Sequence, residues 1–306
     1  MKTDRREICR ILILSALCIV AAFSAFAAEP QTRVVLLGTG TPSAEPDRSG
    51  PAVAVVVGGQ AYLVDFGPGV VRRASAAYAR GCNALAPTGL DIAFLTHLHS
   101  DHTAGYPDLI LTPWVLGRNR PLRVFGPPGI RNMTEHVLKA YEEDIRNRTE
   151  GLEQKSPIGC RVDALEVRPG PVYEDARVKV RAFPVNHGTW KHAYGYRFET
   201  RDRVVVVSGD TTPCEALVEN ASGCDVLVHE VYCEAGLRFG PASFREYHSK
   251  SHTSTRQLAR IASRVRPKLL VLYHLLSFGC GEERMLEEIR QGYDGKVVVG
   301  QDLGAY

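Results

Sequence analysis

Thr96-His97-Leu98-His99-Ser100-Asp101-His102 sets four metal-ligand side chains within six residues. The stretch follows the apolar run 92–95, which reads as a buried strand delivering a loop. In an extended segment the side chains of residues i and i+2 leave the backbone on the same side, so His97 and His99 reach one cation together. Asp101 and His102 come off the following turn toward a second cation. Imidazole and carboxylate donors together suit zinc or a similar borderline ion, whereas calcium and magnesium prefer oxygen alone. A polar loop merely rich in histidine is the competing reading, and four ligand types at this spacing weigh against it.

Outward from this loop, three more donors stand where β-branched runs end: His187 after 178–183, Asp210 after 203–207 and His274 after 269–273. Any one of them suits a core or cap role. With the loop they make the set that two adjacent metals sharing one carboxylate require. We assign His97, His99 and His187 to one metal, Asp101, His102 and His274 to the other, and Asp210 as the bridge. Asp65, at the end of the hairpin 52–65, suits either a helix-end acceptor or a partner to a metal-bound histidine. The glycine turn 38–42 lacks the lysine and spacing of a phosphate-binding loop.

The remaining chain alternates strand-rich hairpins with helices, twice over. Helices are expected after residue 67, over 104–116 with breaks at Pro107 and Pro113, over 130–150, 254–263 and 282–293, and an irregular rim loop over 233–250. That order predicts an α/β fold: two packed sheets with helices outside, a four-layer αββα sandwich in a single domain.

The motif His97-x-His99-x-Asp101-His102 resembles the signature of the metallo-β-lactamase superfamily, and the later donors fit its pattern. Ser208-Gly209-Asp210-Thr211 is similar to the bridging-aspartate motif of the branch that includes ribonuclease Z and secreted arylsulfatases. His229-Glu230 resembles that branch's H-E-A-T motif, with Val231-Tyr232 in place of Ala-Thr, and His252 resembles its catalytic histidine. The resemblance runs from about residue 34 to the C-terminus. It implies two zinc ions per chain, attack by a metal-bridging hydroxide, Asp101 as ligand and catalytic group, and His252 oriented by Glu230 to protonate the leaving oxygen with an ordinary histidine pKa. Alternatively, Glu230 caps its strand and His252 stands beside a helix start.

Residues 1–27 carry Lys2, Arg5, Arg6 and Arg10 ahead of an apolar segment closed by Ala25-Phe26-Ala27, the order of a secretory leader with cleavage before Ala28. The hydrolase domain is then expected over 28–306, periplasmic or secreted, with no stable membrane anchor after cleavage; an uncleaved anchor is the competing reading. The net charge of +3 falls to about +1 without the leader, which carries no electrostatic signature of nucleic-acid binding. Six of the eight cysteines remain, and spacing alone does not pair them.

Only 22 residues separate His187 from Asp210, too few for the long tRNA-binding arm that the resemblance to common bacterial ribonuclease Z implies. The expected substrate is therefore a small anionic ester, with no nucleic-acid partner. Formal charge in a dizinc site favours a monoanion. A sulfate ester of the arylsulfatase type comes first, with Trp114, Trp190 and Tyr194 offered as an aromatic pocket. A small or cyclic phosphodiester is the alternative; a lactonase, a β-lactamase and a non-catalytic metal binder rank below. A homodimer is compatible with the sequence.

Overall fold

Val34 and Leu36 point to one face of the strand Thr32–Gly38, Val35 and Leu37 to the other, and all four are buried. A strand buried on both faces needs a second sheet on one side and helices on the other. The computed structural model, which describes residues 32–306, has that arrangement. The leader expected at 1–27 lies outside the described residues.

The first sheet takes its strands in chain order: β1 (Thr32–Gly38), β2 (Ala52–Val57), β3 (Gln60–Val64), β4 (Ile92–Phe94), β5 (Leu122–Gly126) and β6 (Val162–Glu166). Its first three strands are antiparallel, and β3 to β6 run parallel. The second sheet repeats the scheme with β7 (Gly170–Glu174), β8 (Val178–Pro184), β9 (Tyr194–Thr200), β10 (Val204–Val207), β11 (Val226–Tyr232), β12 (Leu269–Leu276) and β13 (Val297–Val299). Here β7 to β10 are antiparallel and β10 to β13 parallel. In the parallel part of each sheet the strands point the same way, so β4 and β10 deliver their following loops at carboxyl ends, where open α/β sheets build their sites.

Between the sheets, Val34, Leu36, Tyr62, Val64 and Phe94 meet Tyr196, Phe198, Val205, Val207 and Tyr273 in one apolar layer. Outside the first sheet lie α1 (Val70–Ala79), α2 (Ser100–Thr103), α3 (Tyr106–Val115), α4 (Ile130–Ala140) and α5 (Glu142–Glu150); Val70, Ala74, Leu109 and Ile110 pack there on Val35 and Leu37. With the second sheet come α6 (Glu215–Ala221), α7 (Glu234–Leu237), α8 (Ala242–Ser251), α9 (Thr255–Val265) and α10 (Glu282–Arg290). Leu217, Leu258, Ile261 and Ile289 cover its outer face. The four-layer αββα sandwich expected from the sequence is thus the fold.

Several local expectations change. Pro113 does not break α3: the carbonyl of Leu109, which loses its helical donor to the proline, instead accepts from Arg118 Nη1 at 3.0 Å. Pro107 stands in the first turn, where no N–H is needed. The single helix expected over 130–150 divides at Tyr141, because the apolar stripe of Met133, Val137 and Leu138 is carried on only by Ile145. The region 233–250 contains α7 and α8, and β7 adds an edge strand. A disulfide joins Cys233 to Cys280, leaving Cys82, Cys160, Cys214 and Cys224 free. No helix among the described residues is long and apolar enough to cross a membrane.

Candidate metal centre

The motif loop leaves β4 extended and then turns helical: His99 has φ −62° and ψ 148°, and Asp101 and His102 lie in α2. His97 Nε2 and His99 Nδ1 come within 3.0 Å, so the shared direction expected of i and i+2 holds. Asp65 resolves between its two readings. Its carboxylate accepts from the His102 Nδ1–H at 2.8 Å and from the backbone N–H and hydroxyl of Thr96 at 2.8 and 2.9 Å. It therefore fixes both ends of the ligand loop, with its own backbone at φ 62°, a left-handed conformation that Asp tolerates better than most residues.

The later donors arrive on the second sheet. His187 follows β8 and its Nδ1–H donates to the Ser251 carbonyl at 2.7 Å, which directs Nε2 to 3.1 Å from His99 Nδ1. Asp210 follows β10 through Ser208 and Gly209, and is 2% exposed. His274 does not end its strand, as expected, but interrupts it. Glu230 pairs with Tyr273 and Val231 with Leu275, so His274 is the extra residue of a β-bulge, at φ 45°. The bulge aims its Nε2 at Asp101 and Asp210, at 3.2 and 3.4 Å.

The donors fall into two groups, with Asp210 Oδ2 placed between them. Ligand atoms of His97, His99, His187 and Asp210 lie within 4.8 Å of one another, and so do those of Asp101, His102 and His274. Asp210 Oδ2 stands 3.9 Å from both His97 and His187 Nε2, and 3.4 Å from both His102 and His274 Nε2. His102 Nε2 and Asp210 Oδ1 are buried without hydrogen-bond partners, while the outward nitrogens of His97, His102 and His187 have Thr96, Asp65 and Ser251. Oriented imidazoles turned inward around carboxylates fit divalent cations. One contact sets a condition: Trp190 Nε1 donates to His99 Nε2 at 2.7 Å, which puts the imidazole hydrogen on Nδ1. A cation at Nδ1 requires that hydrogen to leave or the indole to move aside.

Burial works against charge on His102, but Asp210, Asp65 and Asp101 outweigh it and hold its pKa well above the usual value. Burial also disfavours the Asp210 carboxylate, yet His274 and His102 keep it well below the carboxylate range. Glu230 behaves oppositely. Burial and then Asp210 raise it well above, although its Oε1 accepts the N–H groups of Thr211 and Thr253 at 3.1 and 2.9 Å. Its Oε2 faces His252 Nδ1 at 3.5 Å. His252 is pushed down to about 4 by burial, so it is not the ordinary histidine expected from the sequence. Of the aromatic pocket, only Trp190 touches the site: Trp114 and Tyr194 are buried in the two cores.

A family model described as the beta-lactamase superfamily domain matches residues 60–275. This chain belongs to the beta-lactamase superfamily. It falls in the ribonuclease Z-like branch of that superfamily: a curated ribonuclease Z of Mycobacterium bovis (strain BCG / Pasteur) is 35% identical over 278 residues, covering 88% of this chain and 96% of the relative. In fold, the superfamily chain is similar to YhfI from Bacillus subtilis, with TM-score 0.69, 16% identity and coverage of 90% of this chain and 99% of that one. The short form of human tRNase Z gives TM-score 0.65 at 20% identity, covering 90% and 98%.

These relatives correct the expected partners. The exclusion of nucleic acid does not stand, because the mycobacterial relative bears the name ribonuclease Z while 278 aligned residues take in 96% of it, leaving no room for a long additional arm. Whole-chain charge was a poor guide as well, since a sum over the chain says nothing of the potential at one cleft. The expected closeness to secreted arylsulfatases finds no support in them.

Proposed function

We propose that this metallo-hydrolase cleaves phosphodiester bonds of RNA at a two-metal centre. The observation supporting the substrate class is the 35% identity to a ribonuclease Z across 96% of that relative. His97, His99 and His187 would hold one zinc ion, Asp101, His102 and His274 the other, with Asp210 common to both. Bound zinc would supply a Lewis acid and a water ionised near neutrality.

The protein's own groups do the rest. Thr96, Asp65 and the Ser251 carbonyl fix the rings of His97, His102 and His187, so these three need no rearrangement around a cation, whereas His99 must first exchange its contact with Trp190. His252 and Glu230 face each other as a buried pair at 3.5 Å. With Glu230 raised and His252 lowered, the pair's proton rests on the Glu230 carboxyl and His252 is neutral; His252 gives its Nε2–H to the leaving oxygen as its Nδ1 takes the proton from Glu230.

Zinc-loaded protein should release a fragment from an RNA oligomer and hydrolyse bis-nitrophenyl phosphate in preference to nitrophenyl sulfate. A preference for the sulfate would overturn the phosphodiester reading.

A further inference from the structure

Helix α8 has a second face that the reading above leaves without a task. Ser243, Glu246, Tyr247, Lys250 and Ser251 recur at helical spacing and line a cavity of about 350 Å³, whose far side is Gly188 and Thr189. The cavity adjoins the metal centre, because Gly188 follows His187 and Ser251 precedes His252. On the helix's other side Phe244 and His248 pack against Phe278, with ring centres 5.1 and 4.7 Å away, which anchors α8 without help from Tyr247.

Tyr247 is 50% exposed. Its ring lies 4.9 Å from His248 and 6.3 Å from His252. Burial, and then the carboxylates of Asp210 and Asp101, raise its phenol, as expected of a group that faces the centre. Across the cavity, Gly188 has φ 52° and a Cβ there would come within 2.8 Å of the Ser251 hydroxyl, so the wall carries no side chain at that position. Lys250 is paired with Glu246 at 2.6 Å, which leaves the cavity no uncompensated cation for a second phosphate. A planar, uncharged ring fits these walls.

We propose that Tyr247 is the stacking platform for the nucleobase adjoining the scissile phosphate. Unpaired RNA lies with that base on Tyr247 and its phosphate at the donor centre. The proposal rests on the RNA reading above and adds that recognition beside the cut is by the π-face, tolerant of base identity and intolerant of a missing base.

The test compares zinc-loaded wild type with Tyr247→Phe, Tyr247→Leu and Tyr247→Ala on a single-stranded RNA oligomer. The same oligomer with abasic ribose on either side of the cut is the second substrate. On intact RNA, Tyr247→Phe stays within about twofold of wild type, while the Leu and Ala variants lose about tenfold in kcat/KM, mostly through KM. On one abasic oligomer the ratio of wild type to these variants falls toward one. Equal losses for the Phe and Ala variants, or losses that persist on both abasic oligomers, overturn the platform. Wild type that cleaves no RNA yet hydrolyses bis-nitrophenyl phosphate overturns the RNA reading and the platform with it.

Discussion

Asp65 and His102 are joined by a 2.8 Å hydrogen bond in which the imidazole Nδ1–H donates to the carboxylate. The same carboxylate holds Thr96, so one residue from the first hairpin orients the loop that begins 31 positions later. Asp65→Asn keeps the left-handed backbone tolerance and loses the charge that supports the imidazole. We expect roughly 10- to 100-fold weaker metal binding in competition with a chelator. Unchanged affinity would remove Asp65 from the support of the centre.

Asp210 Oδ2 stands between the donor groups, 3.9 Å from His97 and His187 Nε2 and 3.4 Å from His102 and His274 Nε2. Asp210→Ala should cost more than a supporting partner does, beyond about 100-fold in hydrolysis, and lower the metal content of the purified protein. Chelation of the wild type should abolish the activity and zinc restore it. Two metals per chain and full activity in the variant would refute the shared-carboxylate arrangement.

Away from the centre, Asp175 ties the two sheets together: Tyr62 on β3 and Tyr173 on β7 donate to one oxygen at 2.6 and 2.9 Å, and the N–H groups of Arg177 and Val178 donate to the other at 2.8 and 3.0 Å. Burial pushes this carboxyl up, but those donors outweigh it and hold it below the usual range. A carboxylate lowered in the folded state adds stability that is fully present above its unfolded pKa of about 4 and is lost as pH falls through the folded value. Asp175→Asn should cost about 1–2 kcal/mol at pH 7, discounted for partial exposure. Urea melts should show the gap between wild type and variant closing below about pH 4, and a gap constant down to pH 2 would exclude the charge.

Arg118 is 1% exposed and donates to four backbone carbonyls, those of Leu90, Leu109, Ile110 and Gly159, at 2.7 to 3.0 Å. An ammonium group cannot reach so wide a set, and carbonyls left bare in the interior are costly. Arg118→Lys should destabilise by about 2–4 kcal/mol. The urea midpoint gives the answer, and a shift worth less than about 1 kcal/mol would show that water takes the place of the guanidinium.

What could be read from the sequence was the chemistry that repeats locally. The motif from His97 to His102 supplied candidate donors that the structure brings together, and the β-branched runs before His187, Asp210 and His274 pointed to the second sheet. Contacts between distant segments were not legible: Asp65 had two readings until the structure brought Thr96 and His102 to it. Trp190 reached His99, while Trp114 and Tyr194, of the same chemical type, went into the cores. Pro113 stayed helical because Arg118 supplied a donor that no local rule provides. The exclusion of nucleic acid failed because net charge is an average, and recognition is made by a few groups at one cleft. Tyr247 carried a faint signal, an aromatic residue five positions before His252 in a stretch read as irregular.

The bulge at His274 has a consequence for how such a centre can be made or unmade. Because the candidate ligand His274 is one extra residue, removing it would let Tyr273 and Leu275 pair as neighbours and leave an ordinary apolar strand, with both cores spared. The candidate donor is an insertion into the pleat rather than a replacement of a packed residue. A scaffold built this way separates its stability from its chemistry, and Δ274 protein, folded but inert, would be the plain demonstration.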